Sequence, residues 1–200
     1  MAKAIGIDMT ESQLFTENGR FHFMTKRFDR SDDGSKIHML TLGGLRHFDF
    51  NAPGANSYEQ AAETLIALGL GNITLEELYR RMCFNIVARN QDDHVKNISF
   101  LMDKNGKWRL APAYDLTFSY RPDSIWVGQH QMTMNGKRGG FPLADFSAAS
   151  TAMRIKPHRA KEILEQVELQ AKNFPSYANV AGIPEQTSDF IASQFEYFVT

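Results

Sequence analysis

The chain has 200 residues, 42% of them hydrophobic and 22% charged, with 22 basic and 23 acidic side chains and a net charge of −1. That is the length of one domain or one large lobe, with enough apolar material for a sizeable core. The near-neutral balance excludes a dominant nucleic-acid or membrane surface, and no run approaches the roughly 18 apolar residues of a membrane span. The opening "MAKAIGIDMTESQ" is too short and too polar for a secretory signal. The single cysteine, Cys83, sits in an apolar run and reads as the buried thiol of a cytoplasmic protein.

In chain order, the first element is a β-hairpin over Gln13 to Arg30. Asn18-Gly19 supplies the two positive-φ positions of its turn, and Phe21 and Phe23 alternate with polar neighbours as in a half-buried strand. A loop, "SDDGSK", and a turn-rich stretch follow. Ser57-x-x-Gln60 is a capping box that predicts a helix from Ser57 to about Leu68, stopped by Gly69. Thr74-x-x-Glu77 reads as a second box, opening a helix that runs to about Ala88. Leu75, Leu78, Met82, Ile86 and Val87 recur on one face, and Cys83 and Phe84 broaden it, so this helix is expected at the centre. Asn105-Gly106 predicts another tight turn, between strands Ile98–Met102 and Lys107–Leu110. Three helices are expected after Phe141: Leu143–Thr151, Pro157–Lys172 and Pro184–Phe198, with Pro157 and Pro184 in first turns. The fold class is therefore α+β, mostly helical, with two small β-hairpins.

Between the central helix and the second hairpin lies "RNQDDHVKN". Asp92 and Asn97 have the spacing D-x-x-x-x-N of a kinase catalytic loop, in which the Asp takes the substrate hydroxyl proton and the Asn holds Mg²⁺. Asp93 keeps only a four-residue step to Asn97. Lys96 is placed to balance phosphoryl charge. The following hairpin ends in "APAYDL", which puts Asp115, after Tyr114, where a kinase carries its second metal carboxylate. Taken singly, Asp92-Asp93 is a solvated turn, His94 a surface histidine and Asp115 a turn cap; together they point to phosphoryl transfer. "NGKRGG" (135–140) lacks P-loop spacing and reads as a basic turn. A metal-dependent hydrolase on Asp92, Asp93 and His94 is the competing chemistry. It would need further ligands, with His38, His47, His130 and His158 as candidates.

The stretch "RMCFNIVARNQDDHVKNISFLMDKNGKWRLAPAYDLTFSY", with "HFMTKRFDR" before it and "HQMTMNGKR" after it, resembles the HipA-type serine/threonine protein kinases, toxins of bacterial type II toxin–antitoxin modules. The resemblance runs from about Ala4 to Phe198. It implies a kinase-like fold, with residues 1–30 the remnant of an N-lobe and hinge strand and 31–200 a helical C-terminal lobe. It implies Asp92 as general base, Asn97 and Asp115 as Mg²⁺ ligands, and ATP contacts from His94, Val95, Lys96, Asn97, Tyr114 and Asp115. Lys26, Arg27 and Phe28 would lie in the hinge against adenine. The implied partners are a HipB-like DNA-binding antitoxin, with DNA reached only through it, and a protein substrate such as an aminoacyl-tRNA synthetase. Full-length members carry a Gly/Ser-rich phosphate loop and a strand lysine upstream of the hinge, and nothing before Gln13 supplies either. The expectation is a lobe that binds ATP weakly and turns over little alone. A non-catalytic module that binds an antitoxin is the alternative.

Overall fold

A computed structural model describes residues 1–199. Helices α2 (Tyr58–Ala67), α3 (Asn72–Val87), α4 (Leu143–Ala152) and α5 (Pro157–Lys172) pack around one another, and α3 lies at the centre against α2 and α5. Leu78, Met82, Cys83, Ile86 and Val87 of α3 are fully buried, as their helical spacing requires. On α5, Ala160, Ile163, Leu164, Val167 and Ala171 form the complementary stripe. Among the described residues, no helix is long and apolar enough to cross a membrane.

The Ser57 capping box is present: Ser57 Oγ accepts from Gln60 N–H at 3.1 Å, and Gln60 Oε1 accepts from Ser57 N–H at 2.9 Å. Gly69, at φ 72°, ends that helix in the left-handed region, and the Leu70 N–H bonds back to Leu65. The second box does not form. Helix α3 starts three residues earlier, at Asn72 after the N-cap Gly71, so Thr74 lies inside the first turn and its N–H bonds to Gly71.

The second hairpin is part of a larger sheet. Strands β4 (Ser99–Met102) and β5 (Trp108–Leu110) pair across the Asn105-Gly106 turn, and β3 (His38–Thr41) adds on the other side of β4, with Thr41 opposite Ser99. Neither β3 nor the short helix α1 (Leu42–Arg46) behind it was expected, because "HMLTLGGLR" carries no clear period.

The first hairpin, β1 (Ser12–Glu17) and β2 (Arg20–Thr25), has the expected turn, with Asn18 at φ 50° and Gly19 at φ 73°. Its residues are nonetheless exposed on both faces. Phe21 is 73% and Phe23 70% accessible, so the alternation does not mark a half-buried strand here.

At the C-terminus the predicted helix Pro184–Phe198 is shorter. Helix α6 (Phe174–Val180) precedes it, and α7 (Glu185–Ser193) stops five residues short. The reason is competition for the backbone from distant partners. The Glu168 carboxylate of α5 accepts the N–H groups of Phe198 and Val199 at 2.6 and 3.0 Å, and Val87 takes Glu196, so the tail is stapled across α3 and α5.

Candidate active site

The central helix delivers the polar loop. After Val87 the chain turns through Arg89, at φ 54°, and residues 90–91 pair with Ser119 on the returning segment. The loop then closes on itself: Asn97 N–H bonds to His94 O at 2.8 Å, and the Asn97 side-chain amide donates to Asp92 O at 2.9 Å. Val95 points inward and is buried, its carbonyl held by Gly43 N–H at 3.0 Å. A side chain at 43 would press a Cβ to 3.2 Å from the Val95 methyl, which accounts for that glycine.

The two aspartates of the loop have different environments. Asp93 is almost fully buried. Its Oδ2 accepts from Tyr58 OH at 2.6 Å and lies 2.9 Å from His130 Nδ1, while Oδ1 accepts from Gln131 N–H at 2.7 Å. Burial alone would raise the Asp93 pKa, but His130 beside it, with these hydrogen bonds, holds it below the ordinary value. Burial, and then the Asp93 charge, push the Tyr58 phenol well up, so it stays a donor. The side chain of Asp92 is 44% accessible, with His94 Nε2 3.9 Å away. Only Asp92 therefore presents a carboxylate that a substrate can reach.

The hairpin β4–β5 brings Asp115 back beside the loop. Both terminal nitrogens of the Arg81 guanidinium, on α3, bond to Ala111 O at 3.1 Å, and Ala113 N–H bonds to Asp8 O at 2.7 Å. The Tyr114 hydroxyl bonds to Lys96 O and Ser99 Oγ. So clamped, Asp115 takes φ 56°, a left-handed conformation costly for a non-glycine residue, and its side chain is exposed. His94, Asn97, Tyr114 and Asp115 line one narrow crevice, with Asp93 and Asn85 at its floor. The Asn97 amide oxygen and the Asp115 carboxylate, both lining the crevice, are oxygen donors of the kind a hard divalent cation takes, so these residues fit Mg²⁺. A roomier hollow lies elsewhere, between residues 31–38 and the β4–β5 turn, and holds none of these groups.

The remaining expected residues divide. The Phe28 ring packs on Tyr114 with centroids 5.4 Å apart, which places it at the crevice edge. Lys26 and Arg27 do not line the crevice; Lys26 pairs with Asp32 at 2.9 Å and Arg27 grips Asp29 with two bonds. Lys96 Nζ sits 3.3 Å over the Phe50 ring, a cation–π contact. No group of three or more His, Cys, Asp or Glu side chains converges among the described residues. The extra ligands that a hydrolase would want are thus not assembled, and His130 is instead committed to Asp93.

Sequence reasoning missed Tyr58, Asn85 and Asn90, and offered His130 only as a metal ligand, whereas it pairs with Asp93. A usable signal was present: Asn85 and Asn90 are polar residues in or just beyond an otherwise apolar helix end, and both are buried.

Residues 1–174 match the family model described as the HipA-like C-terminal domain. The chain belongs to that family. A Haemophilus influenzae protein named "Putative kinase" is 30% identical over 126 residues, which cover 56% of this HipA-like chain and 37% of the relative. "Putative kinase Y4dM" of Sinorhizobium fredii is 26% identical over 206 residues, covering 90% and 49%. The HipA-like chain thus spans half or less of the length of these curated relatives. Among solved structures, a Shewanella oneidensis HipA, HipB and operator DNA complex superposes with a TM-score of 0.75 at 18% identity, over 96% of this chain and 50% of that one. The Helicobacter pylori proinflammatory kinase CtkA superposes with a TM-score of 0.54 at 15% identity, covering 96% and 76%. Likeness at those identities shows the fold, which is that of the HipA C-terminal domain.

Proposed function

We propose that this chain is the catalytic lobe of a HipA-type serine/threonine protein kinase, transferring the γ-phosphoryl group of ATP to a protein hydroxyl. The observation that carries the reading is that Asn97 and, from a separate hairpin, Asp115 line one crevice, while a half-exposed Asp92 stands on the loop that Asn97 closes through the Asp92 carbonyl.

ATP with Mg²⁺ would supply the phosphoryl group, the cation neutralising charge on its oxygens. Asp92 would accept the proton of the attacking hydroxyl. The Asn97 amide oxygen and the Asp115 carboxylate would hold the cation, and Tyr114 and Phe28 would offer an aromatic edge to the nucleotide. Lys96 lies on the same loop as a source of positive charge. Val95 contributes by packing that loop down. Lys26 and Arg27, paired with Asp32 and Asp29, contribute through the backbone of the hinge segment. The protein hydroxyl belongs, by the family resemblance, to a substrate such as an aminoacyl-tRNA synthetase. A HipB-like antitoxin is the partner that the Shewanella complex supports, with DNA engaged through it.

The test is Mg·ATP calorimetry with a radiolabel transfer assay on this chain, on a version extended at its N-terminus, and on each with Asp92→Ala. The expected result is weak binding by the chain, transfer by the extended version, and about 10²- to 10⁴-fold less transfer after Asp92→Ala. Equal transfer by parent and variant would remove Asp92 from the chemistry. The exposed Phe21 and Phe23 favour a second reading, a non-catalytic lobe that docks a partner through its hairpin. Antitoxin binding that persists in a chain unable to bind Mg·ATP, even when extended, selects that reading.

A further inference from the structure

One line of buried hydrogen bonds joins the two arms of the crevice. From Asp93, in the loop, it passes to Tyr58 OH on α2, then to Asn85 Nδ2 on α3 at 3.0 Å. Asn85 Oδ1 accepts from Asn90 Nδ2 at 3.0 Å, and the same Asn90 nitrogen reaches the Asp115 carbonyl at 3.4 Å. His130 holds the opposite side of Asp93. Tyr58, Asn85, Asn90, Asp93 and His130 are all less than one-tenth exposed; the first four lie beneath the crevice with their polar groups turned to one another, and none is needed to explain the chemistry above.

Four polar side chains aligned through a hydrophobic core are costly to bury. A member that loses its partner forfeits its desolvation penalty, and Asn90 Oδ1 and His130 Nε2 already lack partners, so each bond that does form along the line matters to its neighbours. Its ends are the two places where oxygen ligands must keep a fixed separation. Asp93 adjoins Asp92 in the loop that Asn97 closes, and the far end is the backbone of Asp115 itself, in its left-handed conformation.

We propose that Tyr58, Asn85, Asn90 and His130 are positioning residues that lock the Asp92–Asn97 loop to the Asp115 turn through Asp93. The purpose assigned to the lock rests on the kinase reading; the mechanical coupling does not. Disturbing the line at α2 should therefore loosen the Asp115 turn as well as the nearby loop.

Amide hydrogen exchange on the nucleotide-free chain tests the coupling. Two reporters flank the arms: Asn97 N–H, bonded to His94, and Ser119 N–H, bonded to Arg89. A third, Val167 N–H in the middle of α5, serves as reference. Tyr58→Phe keeps the ring and removes only the hydroxyl. The expected result is about five- to tenfold faster exchange at Asn97 and Ser119 together, the scale of one buried hydrogen bond, with Val167 unchanged. Acceleration confined to Asn97, or equal at all three, overturns the proposal. The purpose is tested with Asn90→Ala: the Mg²⁺ concentration for half-maximal ATP binding should rise about tenfold while ATP binding in EDTA stays the same. If both shift equally, or neither moves, Asn90 is structural and the positioning role falls. A parent chain that binds no Mg·ATP, even when extended, yet shows the coupled exchange, overturns the kinase reading and the purpose of the lock while leaving the coupling in place.

Discussion

The Asn97 side-chain amide donates to the carbonyl of Asp92 across five residues, at 2.9 Å. That bond commits the nitrogen end of the amide to the loop and leaves its oxygen end free, on a residue that lines the same crevice as Asp115. In the proposed kinase, one residue would thus both close the loop and offer a cation ligand.

The two ends of that amide separate in Asn97→Asp, which keeps an oxygen donor and loses the clip. The expected outcome is a loss of about 1 kcal/mol of stability, the net worth of one hydrogen bond, with further loss from the carboxylate facing Asp92 O. Urea titration measures it. Mg²⁺-dependent ATP binding should weaken at the same time, although an oxygen remains.

The neighbouring aspartates should behave in opposite ways. Asp93→Ala leaves His130, Tyr58 and Gln131 N–H without their acceptor in the core, and removal of one partner of such a buried pair costs about 3–5 kcal/mol. Asp92→Ala alters a half-exposed side chain and should stay within about 0.5 kcal/mol of the parent. Urea midpoints and the transfer assay should therefore rank these variants in reverse order.

Asp115 holds φ 56° at the cost of backbone strain. Asp115→Gly relieves that strain, worth about 1–3 kcal/mol, against an entropic penalty of about 0.5–1 kcal/mol for glycine. Thermal unfolding should show a variant at least as stable as the parent, and calorimetry should show it unable to bind Mg·ATP. A destabilised Asp115→Gly would mean that the aspartate is there for the fold.

Acid should unfold the chain through particular carboxylates. The Arg27 hydrogen bonds bring Asp29 down to about 2, against the opposing effect of burial and with help from Arg30. Asp93 is also lowered. A carboxylate with a folded pKa below its unfolded value of about 3.9 stabilises above that value and loses the contribution as pH falls through the folded one. The urea midpoint should be insensitive to these two groups from pH 5 to 7 and fall between about pH 4 and 2, with a shallower fall in Asp29→Asn.

What the sequence made legible was local chemistry. The Ser57 box and the Asn18-Gly19 turn depend on contacts within a few residues and have their expected geometry, and a turn forms at Asn105-Gly106 with only the glycine at positive φ. What it hid depends on distant partners. Thr74 scored as a cap because the pattern of types was right, but Gly71 supplied the start. Strand β3 exists because β4 offers it an edge, and the last helix stops at Ser193 because Glu168 captures the tail. Phe21 and Phe23 alternate correctly, yet no layer among the described residues covers them. The candidate site followed the same rule. Asp92, Asn97 and Asp115 were proposed from motif spacing. The line from Tyr58 to Asn90 could not be, since its members are drawn from α2, α3 and the turn after α3.

Cys83 lies near the middle of α3 with no accessible surface, and burial pushes its thiol far up from the ordinary range. Thiol reagents attack the thiolate, so the native chain protects this sulfur twice, by exclusion and by protonation. It is the only sulfhydryl in the sequence. The protein therefore carries its own clock for core opening: the rate at which Cys83 becomes labelled in native buffer counts how often the central helix comes free. A ligand seated in the crevice at the end of that helix would slow the count without touching the sulfur.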